Sequence, residues 1–199
     1  MSDIGTLFGG LVGKSKGDFA DGNARFVTYK NVYANPETDL LADDFVRIGP
    51  SERQRQLRRG DVLLTGSSEN REECGFSSVI AKEPTGPLYL NSFCICFRPF
   101  DADLMDAQYT KHLFRSDTMR EQIKRTASGV TRFNVSKAHL AKVRIPIPPR
   151  EEQEGIAGTL NALEALVNDL NIGLPAELAA RRKQYEYYRD KLLTFTEAV

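Results

Sequence analysis

Glycine, lysine and serine crowd residues 5–17, Gly-Thr-Leu-Phe-Gly-Gly-Leu-Val-Gly-Lys-Ser-Lys-Gly. Such a stretch invites comparison with a phosphate loop. That motif needs a glycine five places before the glycine of Gly13-Lys14-Ser15. Phe8 stands there, and no Walker-B-type acidic strand follows. What remains is a loop whose Lys14, Ser15 and Lys16 can meet a nucleic-acid phosphate. Cys94 and Cys96 are two apart, so on a strand they share a face. Zinc would need two further ligands at suitable spacing, and Cys74, His112 and His139 are scattered. Buried thiols are therefore expected. Methylation of a flipped base needs a glycine-rich cofactor turn and an Asn-Pro-Pro-Tyr type of clamp. Pro148-Pro149 stands between Ile147 and Arg150 and does not qualify. Nuclease chemistry needs clustered carboxylates with a lysine, and the acids here are dispersed. The residues point to binding, with no catalytic, metal or cofactor site expected.

The formal net charge is zero, but its distribution is uneven. Residues 111–150 carry ten Lys and Arg against two Asp and Glu, between two segments with an acidic excess. A basic block suggests a polyanion; the plain alternative is a solvated helix face. Two stretches carry suitable side chains. Ser67, Ser68 and Asn70 follow the buried-strand pattern Asp61–Thr65, where they could meet base edges or simply cap a turn. Lys124 and Arg125 end a predicted helix and run into Ser128, Thr131, Arg132 and Asn134 around Gly129. Arg and Asn can bond guanine and adenine bidentately, whereas lysines suit phosphate.

The elements that would position these groups are mixed. Strands are expected at Phe26–Tyr29, Asp61–Thr65, Phe76–Ala81, Leu88–Phe97 and Lys142–Pro146, with a turn at Asn35-Pro36. Helices are expected at Asp106–Phe114 and Thr118–Thr126, the first presenting Tyr109, Leu113 and Phe114, the second Met119 and Ile123. Ser136 can cap a short helix through Leu140. Pro146, Pro148 and Pro149 then hand over to a long helical tail.

In that tail Ile156, Leu160, Leu163, Val167, Leu170 and Leu174 recur at coiled-coil spacing. Gly173-Leu174-Pro175 should stop or kink the helix. Leu178, Tyr185, Tyr188, Leu192 and Phe195 resume the pattern out of register. These positions are the expected partner interface, because a lone apolar seam needs another surface. The fold class expected is α+β: a mixed β-sheet domain with short helices over residues 1–148, then a kinked or broken coiled-coil-forming region over 149–199.

Composition agrees with a soluble globular protein, at 41% hydrophobic and 27% charged residues. No apolar run is long enough for a membrane span, and no signal-peptide layout opens the sequence. Three cysteines suggest a reducing cytoplasm.

The chain resembles half of the DNA-specificity subunit of type I restriction-modification systems. The likeness rests on Gly60–Thr65 with Ser67–Asn70, on Thr126–Val135, on Ile145–Pro149 with Glu152-Gln153 and Ile156, and on Gly173–Glu177 with the Tyr-rich Arg181–Leu193. The resemblance implies a target-recognition domain followed by a conserved helical spacer. It implies a non-catalytic subunit that binds double-stranded DNA. S-adenosylmethionine, ATP and Mg²⁺ would serve only the methylation and restriction subunits docked on the helices. Full-length members carry two such pairs and read a bipartite site. One pair would act as a homodimer, or with another half-subunit, through antiparallel helices. Glu151–Ile172 would span roughly 33 Å at ~1.5 Å per residue, close to one DNA turn. Two other readings stay open: a nucleotide-binding enzyme, and a decoy module that sequesters methylation subunits without touching DNA.

Overall fold

The computed structural model describes residues 1–169 and 175–194. Its centre is an antiparallel sheet ordered β1 (Gly5–Gly9), β8 (Cys94–Pro99), β4 (Val62–Thr65), β6 (Ser77–Val79). All four residues of β4 are buried. A strand covered on both faces reads as a continuous apolar run. Val62 and Leu64 face one cluster, with Ile95, Phe97, Tyr109, Phe114, Met119 and Ile123. Leu63 faces the other, with Phe8, Val27, Leu90, Cys94 and Cys96. The strand period of two thus divides the core between two faces. Burial pushes the Cys94 thiol up to about 12 and Cys96 upward too. Among the described residues no cluster of His, Cys, Asp or Glu could hold a metal ion.

Two smaller sheets flank the centre. One is ordered β3 (Phe45–Val46), β2 (Ala24–Val27), β7 (Leu88–Leu90), with β2 and β7 parallel. The other is ordered β5 (Ser67–Ser68), β10 (Phe133–Val135), β9 (Ala127–Ser128). Short helices connect them: α1 (Tyr29–Ala34), α2 (Ala107–Leu113), α3 (Asp117–Lys124) and α4 (Lys137–Leu140). The side chains of Asp106, Ser116 and Ser136 cap α2, α3 and α4.

Three sequence expectations are corrected. The apolar run Leu88–Phe97 is two strands in different sheets. Asn91 turns the chain between them, its Oδ1 accepting from the Phe93 N–H at 2.9 Å. The strand at Phe26 ends at Val27, because Thr28 Oγ1 accepts from the Asn31 N–H and starts α1. Lys142–Pro146 has no strand partner. It is held instead by the Met1 ammonium on the Val143 carbonyl (2.7 Å) and the Tyr109 hydroxyl on the Pro146 carbonyl (3.1 Å).

The tail forms α5 (Arg150–Asp169) and α6 (Pro175–Leu192), two helices packed on each other, with Pro175 in the first position of the second. The interface expected of the whole seam is corrected at its start. Ile156 and Leu160 pack with Ala157 into the chain's own core, against α2. Gln153 is buried beside them, donating to the carbonyls of Leu104 and Pro148 and accepting from the Asp106 N–H. The end of α6 is corrected too, since Tyr185 and Leu192 pack against that core and Leu193 is inside it. What α5 presents outward is Leu166, half exposed, between half-buried Leu163 and Val167. Tyr188 on α6 is also exposed. Leu170, Leu174 and Phe195, and the side chain of Leu178, lie outside the described residues.

Candidate nucleic-acid interface

The sheet β5–β10–β9 joins two stretches more than fifty residues apart in sequence. Asn134 is paired with Ser67 on one side and Ser128 on the other, and Phe133 with Ser68. The hairpin between β9 and β10 turns at Gly129, whose φ is +143°; a Cβ there would lie 2.0 Å from the Arg132 carbonyl oxygen. Only glycine takes that turn without strain. It sends Val130, Thr131 and Arg132 out to solvent.

Arg132 is exposed but directed. Its guanidinium carbon lies 5.4 Å from the centroid of the Phe93 ring, and Nη2 donates to Ser67 Oγ at 3.4 Å. Asn134 Nδ2 donates to the Arg132 carbonyl at 3.3 Å. The Tyr29 hydroxyl donates to the Ser67 carbonyl at 2.9 Å and anchors the edge of the sheet. Ser128, Thr131, Arg132 and Asn134 are all exposed, with Asn134 opposite Ser128 on the β9–β10 ladder. Ser68 and Asn70 have local work: Ser68 Oγ donates to Glu73, and Asn70 Oδ1 accepts from the Glu72 N–H.

A groove of about 730 Å³ runs alongside, walled by Gly9, Gly10, Val12 and Gly13, by Arg53, Gln54 and Arg55, and by Lys137. Gln54 ties the walls together with hydrogen bonds to both backbone groups of Val12. Arg53, Arg55 and Lys137 are exposed, and Arg55 also lies over the Phe8 ring. The Asn91–Phe93 turn links the groove to the small sheet. Gly10 abuts the Asn91 carbonyl, and the Gly66 N–H donates to the Phe93 carbonyl at 2.8 Å. Cations along a groove beside Arg, Asn and Ser groups can hold a phosphate backbone while reading base edges.

The glycine-rich loop plays a different part from the one expected. The Lys14 side chain is only 7% exposed; Nζ donates to the Arg47 carbonyl at 2.6 Å and pairs with Glu52. The hydrogen bond from Lys14 is the first cause that holds the Glu52 carboxyl at about 2. Ser15 caps a single turn, its hydroxyl donating to Asp18, while Lys16 stays exposed.

The basic block is also redistributed. Arg115 points inward to the carbonyls of Ser77, Val32 and Tyr33. Arg120 donates to the Glu72 carbonyl over the Phe76 ring. Lys111 pairs with Glu164, Lys124 with Glu72 and Glu121, and Arg150 with Asp106 and Glu154. These charges cross-link the body. Of the predicted helix end, Arg125 alone stays exposed. Phe93, Arg53, Arg55 and Lys137 escaped sequence reasoning. The available signals were the basic, polar stretch 51–60 and an aromatic between two turn formers and a buried cysteine strand.

The comparisons with known proteins agree with this architecture. Residues 14–180 match the family model described as type I restriction modification DNA specificity domain. A Haemophilus influenzae protein named as a type I restriction enzyme specificity subunit is 45% identical over 139 residues, covering 70% of this chain and 33% of that protein. The EcoR124I/EcoR124II specificity subunit of Escherichia coli is 36% identical over 90 residues, 44% of this chain and 22% of that protein. The chain thus spans a third or less of these relatives. Among solved structures, the HsdS subunit from Thermoanaerobacter tengcongensis aligns over 96% of this chain and 43% of its own, with a TM-score of 0.57 at 19% identity. The S subunit from M. genitalium aligns over 85% and 39%, with a TM-score of 0.54 at 16% identity. At such identities the likeness is one of fold.

Proposed function

The chain belongs to the type I restriction modification DNA specificity family, and from this premise we propose that it is the DNA-reading, non-catalytic component of a restriction-modification complex. Residues 1–148 are the target-recognition domain, and residues 149–199 the helical spacer and assembly region. S-adenosylmethionine, ATP and Mg²⁺ belong to methylation and restriction subunits that dock on the helices. The setting is the cytoplasm, and no described helix is long and apolar enough to cross a membrane.

One observation carries the reading. Exposed Arg132, Asn134 and Phe93, from two separate segments, meet over buried Ser67 beside a groove lined by Arg53, Arg55 and Lys137. Lys16 and Arg125 remain exposed cations and Ser128 and Thr131 exposed hydroxyls; Lys14, Ser15, Ser68, Asn70 and Lys124 act by shaping their loops. Selection from random duplexes, followed by a salt-titrated binding isotherm, tests it. Enrichment of a defined sequence with a steep salt slope is expected. Binding of methylation subunits with no affinity for any duplex would leave the decoy reading.

Pairing with a second copy is supported by Leu163, Leu166 and Val167, the apolar part of α5 that the chain does not bury fully. Two-fold symmetry then requires an inverted repeat with a gap. α5 is 20 residues, roughly 30 Å at ~1.5 Å per residue, and its first turns are spent on the chain's own core. The spacing of the two half-sites therefore depends on the whole body as well as on helix length. Two unrelated half-sequences in the selected site would argue for a mixed pair.

A further inference from the structure

We propose that Phe93 is a positioning residue for base recognition: its exposed ring holds the Arg132 guanidinium in a reading direction before DNA arrives. The inference rests on the DNA-recognition reading and adds a residue and a mechanism to it.

Phe93 is 56% exposed, yet its backbone is fixed on both sides. Its N–H donates to Asn91 Oδ1 at 2.9 Å, and its carbonyl accepts from the Gly66 N–H at 2.8 Å. A Cβ on Gly66 would sit 2.7 Å from that carbonyl oxygen, so the close approach depends on glycine. A large apolar ring is thus presented to water from a rigid turn. Arg132 lies against it, 5.4 Å from the centroid, with Ser67 Oγ as a second restraint. Arg132 itself sits in the glycine-turned hairpin, where no other contact among the described residues fixes its long side chain. A free arginine loses rotamer entropy when it bonds a base; a stacked one has already lost part of it. Cation–π contact uses none of the guanidinium N–H groups, and only Nη2 is engaged, by Ser67 Oγ, so the remaining N–H groups can turn to a base. Such groups are what bond guanine O6 and N7.

The test uses the full chain with Phe93→Leu, Phe93→Tyr, Arg132→Ala and the Phe93→Leu/Arg132→Ala double variant. Thermal melting checks folding, and no loss is expected at an exposed ring. NMR of the free protein reads the geometry directly. The Arg132 side-chain protons should be shifted upfield by the ring, and Phe93→Leu should abolish the shift. Base preference is then read by competition between duplexes altered at each position of the selected site. Phe93→Leu and Arg132→Ala should relax the same position, each by roughly tenfold, a typical worth of one bidentate contact. The double variant should be no worse than either single one, and Phe93→Tyr should restore the preference. The salt slope should not change. An unshifted Arg132 in the free protein, or a preference that survives Phe93→Leu, overturns the proposal while leaving DNA recognition standing. A wild-type chain with no base preference overturns both.

Discussion

The Tyr185 hydroxyl lies 2.9 Å from Nδ1 of His112, and Nε2 of the same ring lies 2.8 Å from Oδ1 of Asn161. One buried imidazole therefore bridges α2, α5 and α6. Asn161 Oδ1 is an acceptor, which assigns the ring proton to Nε2 and leaves Nδ1 to accept from Tyr185. Lys111 donates to the same Asn161 oxygen at 3.0 Å and pairs with Glu164. Arg189 sits over the Tyr185 ring and pairs with Asp117 across the α3–α6 contact. The tail helices are thus tied to the body by a neutral histidine inside a charged frame.

Stability should fall in mild acid. Burial is the first cause that lowers the His112 pKa below its usual 6.5; Lys111 and Arg189 add to the shift, whereas Asn161 and Glu164 oppose it. The folded state prefers the neutral ring, so the unfolded chain takes up the proton first. The contribution is complete above about pH 6.5 and is lost as pH falls toward the lower folded value. Urea midpoints at pH 7.5 and 5.5 should differ in the wild type, and His112→Gln should narrow the difference.

Tyr185→Phe removes the donor and leaves Nδ1 buried without a partner. The cost should be about 1–3 kcal/mol. It should appear as faster amide exchange in α6 near Arg189 and Leu192, with β4 amides unchanged.

Asp61→Ala should be more damaging and global. Asp61 is fully buried and accepts both ends of the Arg98 fork, at 2.7 and 2.6 Å. Its Oδ2 also accepts from the Arg58 N–H. Removing it strands a largely buried guanidinium, at about 3 kcal/mol or more. A lowered Tm with unaltered cooperativity is expected.

Two leucines on one helix should separate folding from assembly. Leu160 is fully buried, so Leu160→Ala should cost roughly 2–5 kcal/mol. Leu166 is 50% exposed; Leu166→Asp should change the melting of the single chain by less than about 0.5 kcal/mol. Light scattering should nonetheless show a weaker dimer. A self-association unmoved by Leu166→Asp would remove this face of α5 from the interface.

The cations should sort by salt dependence. Arg53→Gln, Arg55→Gln and Lys137→Gln should each reduce the slope of log affinity against log salt by about one. Lys14→Gln should leave the slope alone and lower stability, because Lys14 is folded onto Glu52 and the Arg47 carbonyl.

Local periodicity and turn chemistry were legible in the sequence. The buried strand at Val62–Thr65, the apolar faces carrying Tyr109, Leu113, Met119 and Ile123, the cap at Ser136, and the helix that begins at Pro175 depend on neighbours a few residues away. The motifs Ser67–Asn70 and Thr126–Val135 were legible as well, but their pairing into one sheet was not. What the tertiary structure alone decided is where each polar group finds its partner. Arg115 meets the Val32 and Tyr33 carbonyls more than eighty residues away, and so a basic block became a set of internal cross-links. Leu88–Phe97 was split because its two halves serve different sheets, a matter of pairing that residue pattern does not encode. The start of the apolar seam was buried by the chain's own α2. A periodic stripe specifies that a surface must be covered, and only the packed molecule determines by what.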